Sequence, residues 1–336
     1  IIFTSGTTGE PKGVEISHKA AWNTIKDVNE RIDCNKEDVF LGVSRLCFDL
    51  SVYDIFGALS VGAKLILPRQ NSLTNPNDWI YLIKKHKVTI WNSVPALMEL
   101  MTNILEDKNY KIYTIRKILL SGDWIPLKLP CKIQYFLCDA SLYSLGGATE
   151  ASIWSNIYKV EKIDKEYDSI PYGKPLSNQK FKILNENLNS VPIWVKGDLY
   201  IKGTGLAKGY VNDYEITSKS FITDPEDGHV MYRTGDKAMY HPDGIIEFMG
   251  REDTQVKING YRIELNEIEN AINKIDEVES SIVGVNNEKS IVALINTKYK
   301  NNENKIIDFG EYANYFENVD VDVFESYFKN IDIACV

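Results

Sequence analysis

Cysteine, histidine and net positive charge are all scarce in this 336-residue chain. Its five cysteines show no Cys-x-x-Cys spacing and its four histidines form no cluster with them. Neither a zinc site nor a disulfide framework is indicated, and the plain reading is a reduced, cytoplasmic setting. Lysine and arginine number 38 against 47 acidic residues, a net charge of -9. That balance leaves no electrostatic case for nucleic acid or an anionic membrane as partner. No run approaches the roughly 18 apolar residues of a membrane span, and there is no signal peptide to read. The chain opens on Ile1 rather than methionine, and it reads as a fragment of something longer. Also missing is the Gly-Lys-Ser/Thr ending of an ordinary P-loop.

What the chain does have is a dense polar stretch, Thr4-Ser5-Gly6-Thr7-Thr8-Gly9-Glu10-Pro11-Lys12-Gly13, following the apolar Ile1-Ile2-Phe3. Glycines let the backbone bring its N–H groups close to a ligand. Together with hydroxyls and a lysine they make a cradle suited to phosphate. Here Pro11 precedes Lys12 and Gly13 follows it, so the P-loop reading fails.

Composition is ordinary for a soluble globular protein, 44% hydrophobic and 25% charged, and the length fits two or three domains. To about residue 160, strand-like runs alternate with helical patterns. Strands are expected at 63–67, at 88–91 and at 117–120, and a helix bears Leu97, Met98, Met101, Ile104 and Leu105 on one face. That alternation predicts a mostly parallel sheet covered by helices, with ligands at the carboxyl ends of its strands. From about 178 the texture predicts antiparallel strands, among them Trp194-Val195, Leu199–Ile201 and 245–248. Val256 to Leu265 reads as a hairpin turning at Asn259-Gly260. Asn266 with Glu269 reads as a helix cap, opening a stripe of Leu265, Ile268, Ile272 and Ile275. Two strands at 281–285 and 290–295, a polar linker to Lys305 and a helical 306–336 complete the reading. Gly203 and Gly205 are a near miss to a dinucleotide fingerprint, rejected because Lys208 stands where the third glycine belongs.

The stretch from Thr4 to Gly13 resembles the phosphate loop of the acyl-adenylate-forming enzymes, which include acyl-CoA ligases and the adenylation domains of nonribosomal peptide synthetases. Further motifs follow in that family's order. Phe48-Asp49-Leu50-Ser51 places Asp49 where amino-acid-activating members hold the substrate ammonium. A carboxylate in a closed pocket is costly unless a cation meets it. Gly146-Gly147-Ala148-Thr149-Glu150 resembles the Tyr-Gly-Pro-Thr-Glu motif, implying Thr149 at the phosphates and Glu150 as ligand of Mg²⁺. The departures are Gly146, where the family has an adenine-stacking tyrosine, and Ala148. The stretch from Gly197 to Tyr210 matches a structural motif. Tyr232-Arg233-Thr234-Gly235-Asp236 matches the ribose motif, with Asp236 as the acceptor of ribose hydroxyls. The run from Gly250 to Glu264 implies Arg251 near the ribose, Asp253 as the hinge of a small lid, and Gly260 near a phosphopantetheine arm.

The resemblance therefore implies an α/β fold, with a large core of mostly parallel sheets plus a β-rich region and then a small α+β lid. Domain limits are expected at 1–252 for the core, truncated at its start, at 253–297 for the start of the lid, and at 298–336 for a linker. That last stretch is also read as the start of an inserted auxiliary domain. The resemblance implies that ATP is bound by Thr4, Ser5, Gly6, Thr7, Thr8, Gly9, Lys12, Gly146, Gly147, Thr149, Asp236 and Arg251, and that Lys12, Thr149, Glu150 and Asp253 carry catalysis. Aligned by these motifs, the substrate pocket is lined by Asp49, Leu50, Tyr53, Asn92, Leu119, Ser121, Leu145, Ile153 and Trp154. This set resembles cysteine-activating domains, and a thiol, as a small hydrophobe with a weak donor, suits such walls. Serine or another small residue is the chemical runner-up. The implied reaction joins an amino acid to AMP and passes it to a carrier-protein phosphopantetheine, with condensation or cyclization domains as neighbours. The family's late Asn-Gly-Lys motif is not found. An acyl- or aryl-CoA ligase, which does not need Asp49, and a degenerate scaffold, hinted at by Gly146, stay open.

Overall fold

The computed structural model describes residues 1–4, 11–69, 72–161, 170–251, 255–258, 261–275, 278–286, 290–297 and 333–335. Ser5, Gly6, Thr7, Thr8, Gly9, Asp253 and Gly260 lie outside the described residues. The chain divides into two compact units, one of Ile1–Phe3 with Gly13–Glu252 and one of Thr4–Lys12 with Asp253–Val336.

Strands β1 (Ile2–Thr4) and β2 (Lys12–Glu15) precede helix α1 (His18–Arg31). Ser17 caps α1 by accepting from the Ala20 amide at 3.1 Å, which satisfies one of the amides a helix start leaves over. Then come β3 (Val39–Gly42), α2 (Leu50–Val52), a π-turn at Tyr53–Gly57, α3 (Ala58–Ser60) and β4 (Lys64–Ile66). Helix α4 (Pro76–His86) starts with proline behind an Asn75 cap, where proline's missing N–H costs nothing. β5 (Ile90–Ser93), α5 (Pro95–Asp107), β6 (Lys117–Leu120), α6 (Leu129–Phe136), β7 (Ser141–Gly146), β8 (Asn156–Val160) and β9 (Lys174–Pro175) complete a seven-stranded sheet, ordered β4-β3-β5-β6-β7-β8-β9. Its first five strands are parallel and its last two antiparallel.

Alternation along each strand sorts side chains to two faces. Leu41, Trp91, Ile118, Leu120 and Leu142 pack with α4, α5 and α6 residues such as Trp79, Met98, Met101 and Ile133. Phe40, Ile90, Leu119, Tyr143 and Leu145 pack on the other side with Ile25 and Val28 of α1. Asn92 is two residues beyond Ile90 and pairs in register with Leu119. Parity therefore delivers Asn92, Leu119 and Leu145 to one face.

The rest of the first unit is antiparallel, as the sequence predicts. β10 (Gln179–Leu184), β11 (Gly197–Gly203), β13 (Phe221–Thr223), β14 (Val230–Tyr240) and β15 (Ile246–Arg251) form one sheet, with β14 carrying three neighbours. β12 (Gly209–Tyr210) instead pairs with Val14 and Glu15 of β2, and helix α7 (Tyr214–Ser220) follows it. The second unit holds the hairpin β16 (Gln255–Ile258) and β17 (Tyr261–Glu264), helix α8 (Leu265–Ile272), and β18 (Val278–Val285), β19 (Ile291–Thr297) and β20 (Ile333–Cys335). Leu265, Ile272 and Ile275 are buried in its core, with Ile268 packed against them.

Three local expectations are corrected. Trp194-Val195 is a turn: Trp194 has φ 65° after Pro192, and its ring packs on His241 at 4.2 Å. Asn266 lies within α8, which begins directly after β17. Glu269 accepts from the Val283 amide at 3.1 Å, so tertiary pairing takes the carboxylate that a capping box would use. Ile333–Cys335 is a strand parallel to β19, where a helix was expected. The apolar Ile-Ala-Cys finds backbone partners on a sheet edge there, and the remainder of 306–336 lies outside the described residues.

Candidate active site

The strand β7 ends at Gly146, and Thr149–Ala151 form a single 3₁₀ turn. The turn folds tightly over the chain that follows. A Cβ on Gly147 would lie 2.8 Å from both the Trp154 Cα and the Ser155 nitrogen, so only glycine allows this approach. Ser152 and Ile153 both take left-handed backbone, at φ 63° and 74°. A β-branched residue there stores about 1–3 kcal/mol of strain. Ser152 Oγ anchors the strained pair by donating to the Gly205 carbonyl at 2.6 Å.

The turn joins two of the predicted groups. Thr149 Oγ1 donates to Asp49 Oδ2 at 2.7 Å, across a separation of 100 residues. Asp49 stands at the start of α2 and is 7% exposed. Glu150 is 1% exposed and accepts at Oε1 from the Tyr210 hydroxyl at 2.7 Å. Its own carbonyl accepts from the Ala207 amide at 2.8 Å. Two contacts thus fix the carboxylate's direction and the height of the turn.

All the apolar pocket candidates share one core cluster: Leu50, Tyr53, Leu119, Leu145, Ile153 and Trp154. The Tyr53 and Trp154 rings meet at 4.8 Å and 58°. Tyr53 donates to Asn29 Oδ1 at 2.7 Å, and burial pushes its phenol well above the ordinary value. Asn92 Nδ2 donates to Asp54 Oδ1 at 2.8 Å. Burial pushes Asp54 up to about 8, with the Asn92 hydrogen bond opposing it.

The ribose candidates also meet. Arg251 Nη1 donates to Asp236 Oδ1 at 2.7 Å and to the Thr234 carbonyl at 3.0 Å, and both charged side chains are largely buried. Tyr172 lies beside them: burial first, then the Asp236 charge, raise its phenol. Its ring covers Gly146 so closely that a Cβ there would fall 2.0 Å from Cε2. Asn156 ties the two strands, accepting from the Gly146 amide and donating to the Tyr172 carbonyl. Where the sequence shows only a missing tyrosine at 146, the fold brings an aromatic ring from residue 172.

Of the phosphate stretch, Thr4 and Lys12 are described, at the end of β1 and the start of β2. Thr4 Oγ1 donates to the Lys12 carbonyl at 3.5 Å. Tyr210, Tyr172, Asn156 and Asp54 escaped the sequence reading. Only Tyr210 had a signal, as the end of a motif read as structural. The other three act through contacts that have no fixed spacing in the chain.

A family described as "AMP-binding enzyme" matches residues 1–211. Bacitracin synthase 1 of Bacillus licheniformis is 48% identical over 286 residues, 84% of this chain but 5% of that protein. The nonribosomal peptide synthetase FmoA3, solved with α-methyl-L-serine-AMP bound, is 40% identical with a TM-score of 0.71, over 75% of this chain and 28% of its own. PA1221, a nonribosomal peptide synthetase protein containing adenylation and PCP domains, is 27% identical with a TM-score of 0.79, over 89% of this chain and 52% of its own. The chain thus spans a small part of its curated relative and about half or less of these structures. Among the described residues, no helix is long and apolar enough to cross a membrane.

Proposed function

The chain belongs to the AMP-binding enzyme family, and on that premise we propose that it activates an amino acid within a nonribosomal peptide synthetase. The acid reacts with ATP to give aminoacyl-AMP and pyrophosphate. The acyl group then passes to the phosphopantetheine thiol of a carrier protein. The observation that carries this reading is the Thr149–Asp49 hydrogen bond. In an α-amino acid the ammonium and the reacting carboxylate are attached to the same carbon. A carboxylate for the ammonium and a hydroxyl for the phosphoryl group must therefore be close neighbours, and these two touch. A plain carboxylic acid has no ammonium to offer Asp49.

Asp49 holds the ammonium and orients the substrate, and the single Thr149 hydroxyl proton that Asp49 accepts in the structure turns to the phosphates once the ammonium takes its place. Glu150 offers carboxylate oxygens aimed by Tyr210, a donor set that suits a hard cation. Mg²⁺ held there with the ATP phosphates would offset charge as pyrophosphate leaves. Lys12 and the hydroxyls of the phosphate stretch add donors to the same phosphates. Asp236 accepts from the ribose hydroxyls, and Arg251 holds that carboxylate in place. Leu50, Tyr53, Asn92, Leu119, Ser121, Leu145, Ile153 and Trp154 enclose a small side chain, with L-cysteine favoured and serine next. The α-methyl-L-serine carried by FmoA3 is of similar size. The division between Glu252 and Asp253 supports a lid hinged at Asp253.

Amino-acid-dependent ATP–pyrophosphate exchange, run on the full-length parent with all twenty amino acids, tests the proposal. Exchange dominated by cysteine is the expected result. Another amino acid dominating would keep the reaction and discard the substrate. No exchange from a folded protein would favour a carboxylic-acid ligase or a scaffold.

A further inference from the structure

Among and beside the pocket candidates, several buried side chains carry polar atoms without hydrogen-bond partners. Asp54 is 2% exposed and, although Oδ1 takes the Asn92 hydrogen bond, Oδ2 has no hydrogen-bond partner among the described residues. Asn92 is 1% exposed; its Nδ2 also reaches the Leu50 carbonyl at 3.3 Å, and its Oδ1 is unpartnered. The same holds for Ser121 Oγ, two residues past Leu119, which pairs with Asn92. Burying an unsatisfied polar atom is costly, and folded chains keep few of them.

The surroundings single out the Asp54–Asn92 pair further. Asp54 belongs to the π-turn Tyr53–Gly57, a device frequent at functional sites. The neighbouring Gly42 presents no side chain to it: a Cβ there would sit 3.8 Å from the Asp54 Cβ. Leu50, Tyr53 and Leu119 supply apolar walls from the same cluster. A carboxyl enclosed in this way stays neutral, and burial does push it up to about 8.

We propose that Asp54 and Asn92 together read the side chain of the activated amino acid, holding one small thiol or hydroxyl between a donor and an acceptor. The inference rests on the amino-acid-activating reading above. Neutral Asp54 donates through Oδ2–H to the substrate heteroatom, and Asn92 Oδ1 accepts that heteroatom's own proton. A thiol or hydroxyl makes both bonds at once. A methyl group of similar size makes neither and leaves both protein atoms unpaired, which is how a site rejects a near-isostere strongly.

The probe is 2-aminobutyrate, which replaces the cysteine thiol by methyl. Pyrophosphate exchange on the full-length parent gives kcat/KM for cysteine, serine, alanine and 2-aminobutyrate. The parent should favour cysteine or serine over 2-aminobutyrate, and which of the two leads identifies the group read. Asp54→Leu should lower that preference by about tenfold or more. Asp54→Asn, which is neutral, of the same shape and still a donor, should lower it by about threefold. Should the leucine variant fail to melt cooperatively, the asparagine variant carries the test. An unchanged ratio in a folded variant would overturn the inference and leave Asp54 as a partner that only holds Asn92. A parent with no preference over 2-aminobutyrate would also overturn it. A parent inactive with every amino acid would overturn the underlying reading instead.

Discussion

In the proposed reaction Asp49 meets the substrate, and its carboxylate is almost wholly enclosed and accepts from the hydroxyl of Thr149. Asp49→Ala should reduce kcat/KM for amino acids by about 100-fold or more, since an unpaired buried ammonium costs several kcal/mol. Steady-state exchange measures this, and a plain acid ligase would barely respond. Gly147 is constrained by backbone rather than chemistry. Gly147→Ala brings a methyl to 2.8 Å from main-chain atoms and should cost about 2–4 kcal/mol, the range for forced overpacking and strain, visible as a lower urea midpoint. Asp54 adds a pH signature. Its folded pKa of about 8 stands above the ordinary 3.8, so the folded protein keeps a proton that the unfolded chain releases. Stability from that proton is complete below pH 4 and is lost as pH rises through 8. Asp54→Asn removes this dependence, so its Tm relative to the parent should be higher at pH 8 than at pH 5.

Strand ends do the positioning at the scale of elements. Asn92, Leu119 and Leu145 sit in the carboxyl halves of β5, β6 and β7, with Ser121 and Thr149 just past β6 and β7, and the opposite ends of the sheet are pinned by a separate device. Asp38, 2% exposed just before β3, accepts from Arg116 Nε and from the Thr89 hydroxyl, each at 2.7 Å, and from the Asn35 amide at 2.9 Å. Burial alone would raise this carboxyl, but Arg116, Thr89 and Asn35 together hold it below the usual carboxylate range. The Arg116 guanidinium also reaches the Ile32 and Asp33 carbonyls, so α1, β3 and β6 meet at one ion pair. Asp38→Ala should destabilise the protein by about 3 kcal/mol, as removal of one partner of a buried pair does. Denaturant unfolding measures it, and exchange rates per folded molecule should change little because the lock sits away from the carboxyl strand ends.

At the scale of the whole molecule, the division after Glu252 and the proposed hinge at Asp253 make a kinetic prediction. Asp253→Pro fixes φ near -65° and should slow loading of the carrier thiol far more than pyrophosphate exchange. Radiolabelled aminoacyl transfer, measured beside exchange on the same preparation, separates the two steps. Equal loss of both would remove the hinge role.

Much of this was legible in one dimension. Alternating β and α patterns named the parallel sheet, and Lys117–Leu120 was readable as a strand residue for residue. Motif alignment grouped Asn92, Leu119 and Leu145 as pocket residues, and the register between β5, β6 and β7 puts them on one face. Motif order singled out Asp49, Thr149, Glu150, Asp236 and Arg251 as candidates. What sequence could not supply was which of them touch. The Thr149–Asp49 contact spans 100 residues and Tyr210–Glu150 spans 60, and no local rule encodes such distances. Trp194 and Glu269 were misread for the same reason: a stacking partner in His241 and a strand amide at Val283 outweighed local propensity. Sequence by itself determined the family and the polar inventory. Tertiary structure alone decided that Tyr172 fills the place over Gly146 and that Asp54 is buried against Asn92, because close packing is settled by whatever chain arrives from elsewhere.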